Sequence, residues 1–137
     1  MALSFTQPLN NATYTAGHYL VVNVTASHST GIQNVRLFFN HVLVRQENIA
    51  PYDWGLGADD LALKSLPAGK HILKAIATSV SGLTSEVVVS ITVNVPVNQP
   101  PSISLTAPVA NTTLLAPASI AIAASATDSD GTIQSVS

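Results

Sequence analysis

Two groups of residues carry side chains whose types and spacing suit binding chemistry. The first is Asp128-Ser129-Asp130-Gly131. Two carboxylates two positions apart, next to a glycine, match the beginning of a calcium loop, and calcium takes roughly six to eight oxygen ligands. Asp128 and Asp130 offer carboxylates, Ser129 a hydroxyl, and the backbone carbonyls. The same four residues also make a turn without any metal, because Asp hydrogen-bonds the backbone ahead of it and Gly takes positive φ. Both readings, a calcium site and a plain turn, are open at this point.

The second group is Tyr52, Asp53, Trp54, Asp59 and Asp60, in a stretch loosened by Gly55 and Gly57. An indole beside carboxylates can stack on a sugar ring while the acids bond its hydroxyls. The competing reading is that Trp54, the only tryptophan, plugs one end of a β core. Aromatic residues make up 5% of the chain, too few for a broad aromatic sugar platform.

Catalytic chemistry finds little support. The four histidines, at 18, 28, 41 and 71, are dispersed with no i, i+2 pair. His71 is expected to sit at a corner of the fold with its ring bonded to backbone. No G-x-S-x-G, H-E-x-x-H or Gly-rich phosphate loop occurs. Asp59 and Asp60 are neighbours, and in a strand they point opposite ways, which is poor geometry for an acid/base pair. The five basic residues are scattered and the net charge is -2, which argues against a nucleic-acid face. The absence of cysteine excludes disulfides and thiolate zinc. The chain reads as a non-enzyme. Three N-x-T sequons, at Asn11, Asn23 and Asn111, are what chance gives in a threonine-rich chain.

The elements that position these residues read as strands. The 137 residues are 47% hydrophobic and 9% charged, with apolar runs too short for a membrane helix. Leu20, Val22, Val24 and Ala26 alternate with Tyr19, Val21, Asn23 and Thr25. Val35, Leu37 and Phe39 alternate with Arg36, and Asn40-His41 reads as a two-residue hairpin turn, where Gly would suit the second position better. His71, Leu73, Ala75 and Ala77 alternate with Ile72, Lys74 and Ile76, so that two isoleucines flank a lysine on the outward face. The total is about seven short strands with regular turns, which predicts an antiparallel β-sandwich.

The chain also repeats itself. Ser4, Thr6, Pro8, Asn11, Thr13, Ala16, Ala26, Ser29 and Gly31 each meet an identical residue 100 positions later. The expected organisation is a complete sandwich over 1–95, a proline-rich linker "PVNQPPS" over 96–102, and the first two to three strands of a second copy over 103–137, the third beginning at Thr132. The stop after Ser137 is read as a truncation boundary. Met1-Ala2 runs into "LSFTQP" with no basic and apolar leader, so a secretory signal is expected to have been removed or to lie outside this segment.

"VRLFFNHVLVRQENIAPYDW…LPAGKHILKAIATSVSG" resembles the bacterial immunoglobulin-like domains found in tandem in secreted enzymes and surface proteins, and "NQPPSISLTAP" with "SATDSDGTI" resembles the start of the next such domain. The chain departs from the family pattern at His71, where Tyr is usual, at His41, where Gly is usual, and in the longer stretch "DWGLGADDLALKS". The resemblance implies an all-β immunoglobulin-like sandwich. It also implies a non-catalytic spacer or interaction module of an extracellular or cell-surface protein, such as a polysaccharide-degrading enzyme or an adhesin. Neighbouring domains of the same polypeptide are the implied partners. A carbohydrate-binding module using the Trp54 loop and a calcium-dependent adhesion repeat are the alternatives. The apolar face of the partial repeat is expected to pair with a second copy of the chain.

Overall fold

A computed structural model describes residues 1–137. They form two compact units, Met1–Pro96 and Val97–Ser137. No helix is long and apolar enough to cross a membrane.

The first unit contains β1 (Ala2–Gln7), β2 (Ala12–Thr15), β3 (Val22–Ser27), β4 (Ile32–Phe39), β5 (Val42–Glu47), β6 (Tyr52–Trp54), β7 (Gly69–Ser79) and β8 (Thr84–Asn94). A three-stranded sheet has the order β1-β3-β6, and a five-stranded sheet the order β2-β8-β7-β4-β5. Phe5, Val22 and Val24 from the first sheet, with Leu20 just before β3, face Val35, Leu37, Leu73, Ala75, Val89 and Ile91 from the second, and all are buried. The alternation read from the sequence thus closes an immunoglobulin-like β-sandwich. Each large apolar side chain in this core contributes on the order of 1.5–3 kcal/mol.

Eight strands appear where about seven were expected, because the first one divides. β1 pairs antiparallel with β3, whereas β2 pairs parallel with β8 in the opposite sheet. Pro8, which lacks an N–H, and Asn11 at φ 64° make the crossing. It is pinned by Asn11 N–H donating to Ser90 O (2.7 Å) and Ser90 N–H donating to Asn10 Oδ1 (2.9 Å).

Asn40 and His41 do form the β4–β5 turn, with φ of 47° and 70°, the double positive-φ geometry of a two-residue hairpin. The amide of Asn40 then ties the hairpin to β7. Its Oδ1 accepts from Ile72 N–H (3.0 Å), and its Nδ2 donates to His71 Nδ1 (2.9 Å). The other ring nitrogen of His71 therefore carries the proton and donates to Pro67 O (2.8 Å). Buried His71 also stacks on Phe39, 5.1 Å between ring centres.

The long stretch after β6 is a folded cover. A single 3₁₀ turn spans Leu61–Leu63. Leu20 N–H donates to Leu63 O (2.9 Å), Leu66 N–H to His18 O (3.0 Å), and Gly17 N–H to Leu66 O (2.9 Å). These bonds press Leu63 and Leu66 fully into the core.

The second unit holds β9 (Ser102–Ala107) paired antiparallel with β10 (Ala123–Thr127). Its register copies that of β1 and β3 at an offset of one hundred. Leu3↔Ala26, Ser4↔Thr25 and Phe5↔Val24 become Ile103↔Ala126, Ser104↔Ser125 and Leu105↔Ala124, and the irregularity after Phe5 returns after Leu105. Asn111 repeats the positive φ of Asn11. Ser102, assigned from sequence to the linker, is the first residue of β9. Residues 132–137 form no strand. Their counterpart β4 is paired on both sides, by β5 and β7, and no such partners occur in residues 97–137.

Candidate functional site

The sequence singled out Tyr52, Asp53, Trp54, Asp59 and Asp60, and the structure distributes them between core and surface. Tyr52 and Trp54 alternate inward on β6, and Trp54 is 0% exposed. Its indole therefore has no free face for a sugar ring. Its Nε1 donates to Arg45 O (3.2 Å), which links β6 to β5 across the two sheets. Asp59 is exposed, whereas Asp60 is 1% exposed and turns back beneath the loop.

The residue that organises this region is Arg45, which was not singled out from sequence. Its Nε donates to Asp60 Oδ1 (2.9 Å) and its Nη2 to Asp60 Oδ2 (3.1 Å), a two-pronged charge-assisted pair. Nη2 also donates to Asp53 O (3.0 Å), and Nη1 reaches Glu47 on the same strand. Asp60 Oδ2 takes a further bond from Gly55 N–H (2.7 Å). Burial alone raises the Asp60 carboxyl. The bonds from Arg45 and Gly55, with the charges of Arg45 and Lys64, outweigh it and hold the carboxyl below its ordinary value. The hydrogen bond to Asp60 correspondingly holds Arg45 above its own. Both Asp60 oxygens and all three Arg45 nitrogens are bonded to neighbours, so the pair works as a clasp between strands and loop.

Gly55 makes the clasp sterically feasible. It has φ +88°, and a Cβ there would lie 2.0 Å from Leu20 O.

Asp128 and Asp130 share one turn. Asp128 Oδ1 accepts from Asp130 N–H (3.3 Å), and Asp130 Oδ2 accepts from Gln99 N–H (2.9 Å). One oxygen of each carboxylate thus accepts from a backbone amide, as in an Asx-type turn, and Asp130 ties the segment before β9 to the end of β10. No group of three or more His, Asp or Glu side chains converges anywhere in the chain. Two carboxylates supply at most four of the roughly six to eight oxygens calcium takes.

Two surface features were not legible in the sequence. An open groove of about 390 Å³, lined by Thr6, Asn23, Thr25, Pro51 and Tyr52 among others, lies where β6 begins beside β3. Its lining is uncharged, so it brings no acid, base or metal ligand. The outer face of the five-stranded sheet gathers cations from separate strands, a placement visible only once the register is known.

A model of the family described as "Bacterial Ig domain" matches residues 2–75 and 101–137. Over 70 residues, half of this chain, the sequence is 43% identical to "Ulvan lyase, long isoform" of Glaciecola sp. (strain KUL10), and the match spans 7% of that protein. Among solved structures, the fibronectin(III)-like modules of Clostridium thermocellum CbhA are similar with a TM-score of 0.61 and 26% identity, covering 95% of this chain and 64% of theirs. The Parabacteroides merdae β-glucuronidase shares the fold alone, with a TM-score of 0.52 and 11% identity over 77% of this chain and 13% of that one.

Proposed function

Because the chain belongs to the bacterial Ig domain family, we propose that it is a non-catalytic spacing module of a larger extracellular protein acting on polysaccharide. In this reading, residues 103–137 are the opening part of a second immunoglobulin-like repeat. The observation that carries it is the strand register repeated at an offset of one hundred, joined through Pro96, Pro100 and Pro101. Prolines fix φ and bias their predecessors toward extended backbone, so such a joint limits bending between successive repeats. Kinship with a lyase named for ulvan supports a polysaccharide-directed parent, and the short span of that match suits an accessory module. The clasped Trp54 loop supports a scaffold role, since Trp54 Nε1 and the Asp60 carboxylate are bonded within the fold.

The test is a distance measurement between spin labels placed on the exposed Ser29 and Ser129 of the full chain. A narrow distribution that broadens when Pro96, Pro100 and Pro101 are all replaced by Gly is expected. A distribution already as broad in the native chain overturns the spacing role.

A further inference from the structure

We propose that the outer face of the five-stranded sheet binds an anionic polysaccharide, with Arg36 as the principal contact. Val35, Leu37 and Phe39 point into the core, so Asn34, Arg36 and Phe38 project from the other face of β4. On β7 the same alternation turns Lys70 and Lys74 outward. Three of the five basic residues of a chain with net charge -2 therefore share one face. The one carboxylate placed there by register is Glu86, opposite Ile76 and 4.0 Å from Lys74. The face is positive on a protein that is not.

Arg36 is also the arginine left uncommitted. Arg45 holds Asp60 and Glu47, whereas Arg36 enters no ion pair. Its Nε is buried without a partner, and so is Asn34 Oδ1, two positions along the same strand. Neighbouring side chains cover both atoms, so a ligand that displaces this cover meets an unmet donor and an unmet acceptor, which sugar hydroxyls beside an acidic substituent would satisfy. Phe38 continues the row, with Lys74 Nζ 5.5 Å from its ring centre, and gives an apolar surface for a pyranose ring. An acidic peptide matches the charge and also carries donors and acceptors, but it brings no ring face to lie on Phe38. The choice of polysaccharide rests on the function proposed above.

The experiment is an amide chemical-shift titration of the full chain. The probes are a uronic acid hexasaccharide, a sulfated glucan hexasaccharide, a neutral glucan hexasaccharide and a hexaglutamate peptide. Shifts centred on Asn34, Arg36 and Phe38 with either acidic sugar are expected. They should weaken with added salt, and Arg36→Gln should lower the affinity roughly tenfold or more, as loss of a charge-assisted contact does. Lys74→Gln serves as an independent second variant should Arg36→Gln alter folding. No binding by either acidic sugar, equal binding of the neutral glucan, binding unchanged in both variants, or equal binding of hexaglutamate each overturns the proposal. Any of these leaves the label-distance test of the spacing role intact, so the two ideas fail separately.

Discussion

Arg45 and Asp60, fifteen positions apart, meet as a two-pronged ion pair whose carboxylate has 1% of its surface exposed. This contact holds the loop after β6 against the edge strand β5. Removing the charge leaves the fork of Arg45 facing a group that cannot accept it on both prongs. Asp60→Asn is expected to cost about 3 kcal/mol, as breaking a buried pair does. At roughly 4–8 °C per kcal/mol for a domain of this size, the midpoint should fall by more than about 10 °C. A calorimetric shift of a degree or two would show that the clasp is ornamental.

The same carboxyl sets an acid limit. Its folded-state pKa lies below the ordinary value of 3.8, so the unfolded chain binds the proton more tightly. The stabilisation is therefore fully present above 3.8 and is lost as pH falls through the depressed folded-state value. Melting temperature should stay flat from about pH 7 to pH 5 as far as Asp60 is concerned, then drop below about pH 4. Asp60→Asn should flatten that drop. Equal acid sensitivity in the two proteins would move the cause elsewhere.

Gly55 and Gly57 lie in one loop but should respond oppositely to alanine. At Gly55 the added Cβ meets Leu20 O at 2.0 Å with φ +88°, whereas at Gly57 it meets nothing within 4 Å and φ is outside the strained region. Gly55→Ala is expected to cost more than about 2 kcal/mol through strain and displacement of the Leu20–Val21 backbone that leads into β3. Gly57→Ala should be neutral or stabilising by up to about 1 kcal/mol, through the unfolded chain. Urea denaturation of the two variants decides it, and similar midpoints would contradict the close approach.

The hairpin offers a gain of stability. His41 sits at φ 70°, its side chain exposed, and takes no part in the Asn40–His71 bonds. His41→Gly should relieve about 1 kcal/mol of left-handed strain. Asn40→Gly tolerates the same φ yet loses both amide contacts to β7, so it should destabilise. If both glycines act alike in thermal melts, the tie to Ile72 and His71 carries no weight.

What the sequence discloses follows the range of the physics involved. Alternation at Leu20, Val22 and Val24 is a local pattern, and it predicted the buried face correctly. Asn40-His41 is a local turn signal. The hundred-residue repeat was legible because a register is carried by the strands' own side chains. Arg45 was overlooked because nothing near it in sequence marks Asp60 as its partner; only the approach of β5 to the loop brings them together. The division of the first strand was hidden for a related reason, since β2 exists only by pairing with β8, some eighty positions on. Trp54 illustrates an ambiguous residue. From sequence it reads either as a ligand group or as a core plug, and its burial shows it packed in the core.

The second unit supplies the last prediction. Phe5, Leu20 and Val22 are 9%, 1% and 0% exposed, while their counterparts Leu105, Ile120 and Ile122 are 69%, 58% and 75% exposed. In the first unit this face is covered by the five-stranded sheet, and no such sheet occurs in residues 97–137. Covering each side chain is worth on the order of 1.5–3 kcal/mol, and a second copy presents an identical apolar ribbon with open strand edges. We therefore expect the 137-residue chain to self-associate through β9 and β10, with a mass that rises with concentration in light scattering. Leu105→Glu with Ile122→Glu should restore the monomer and leave the melting of Met1–Pro96 unchanged, because those residues lie in the other unit. A clean monomer over a hundredfold concentration range would show that this face stays solvated. Association that survives the double substitution would place the contact on another surface.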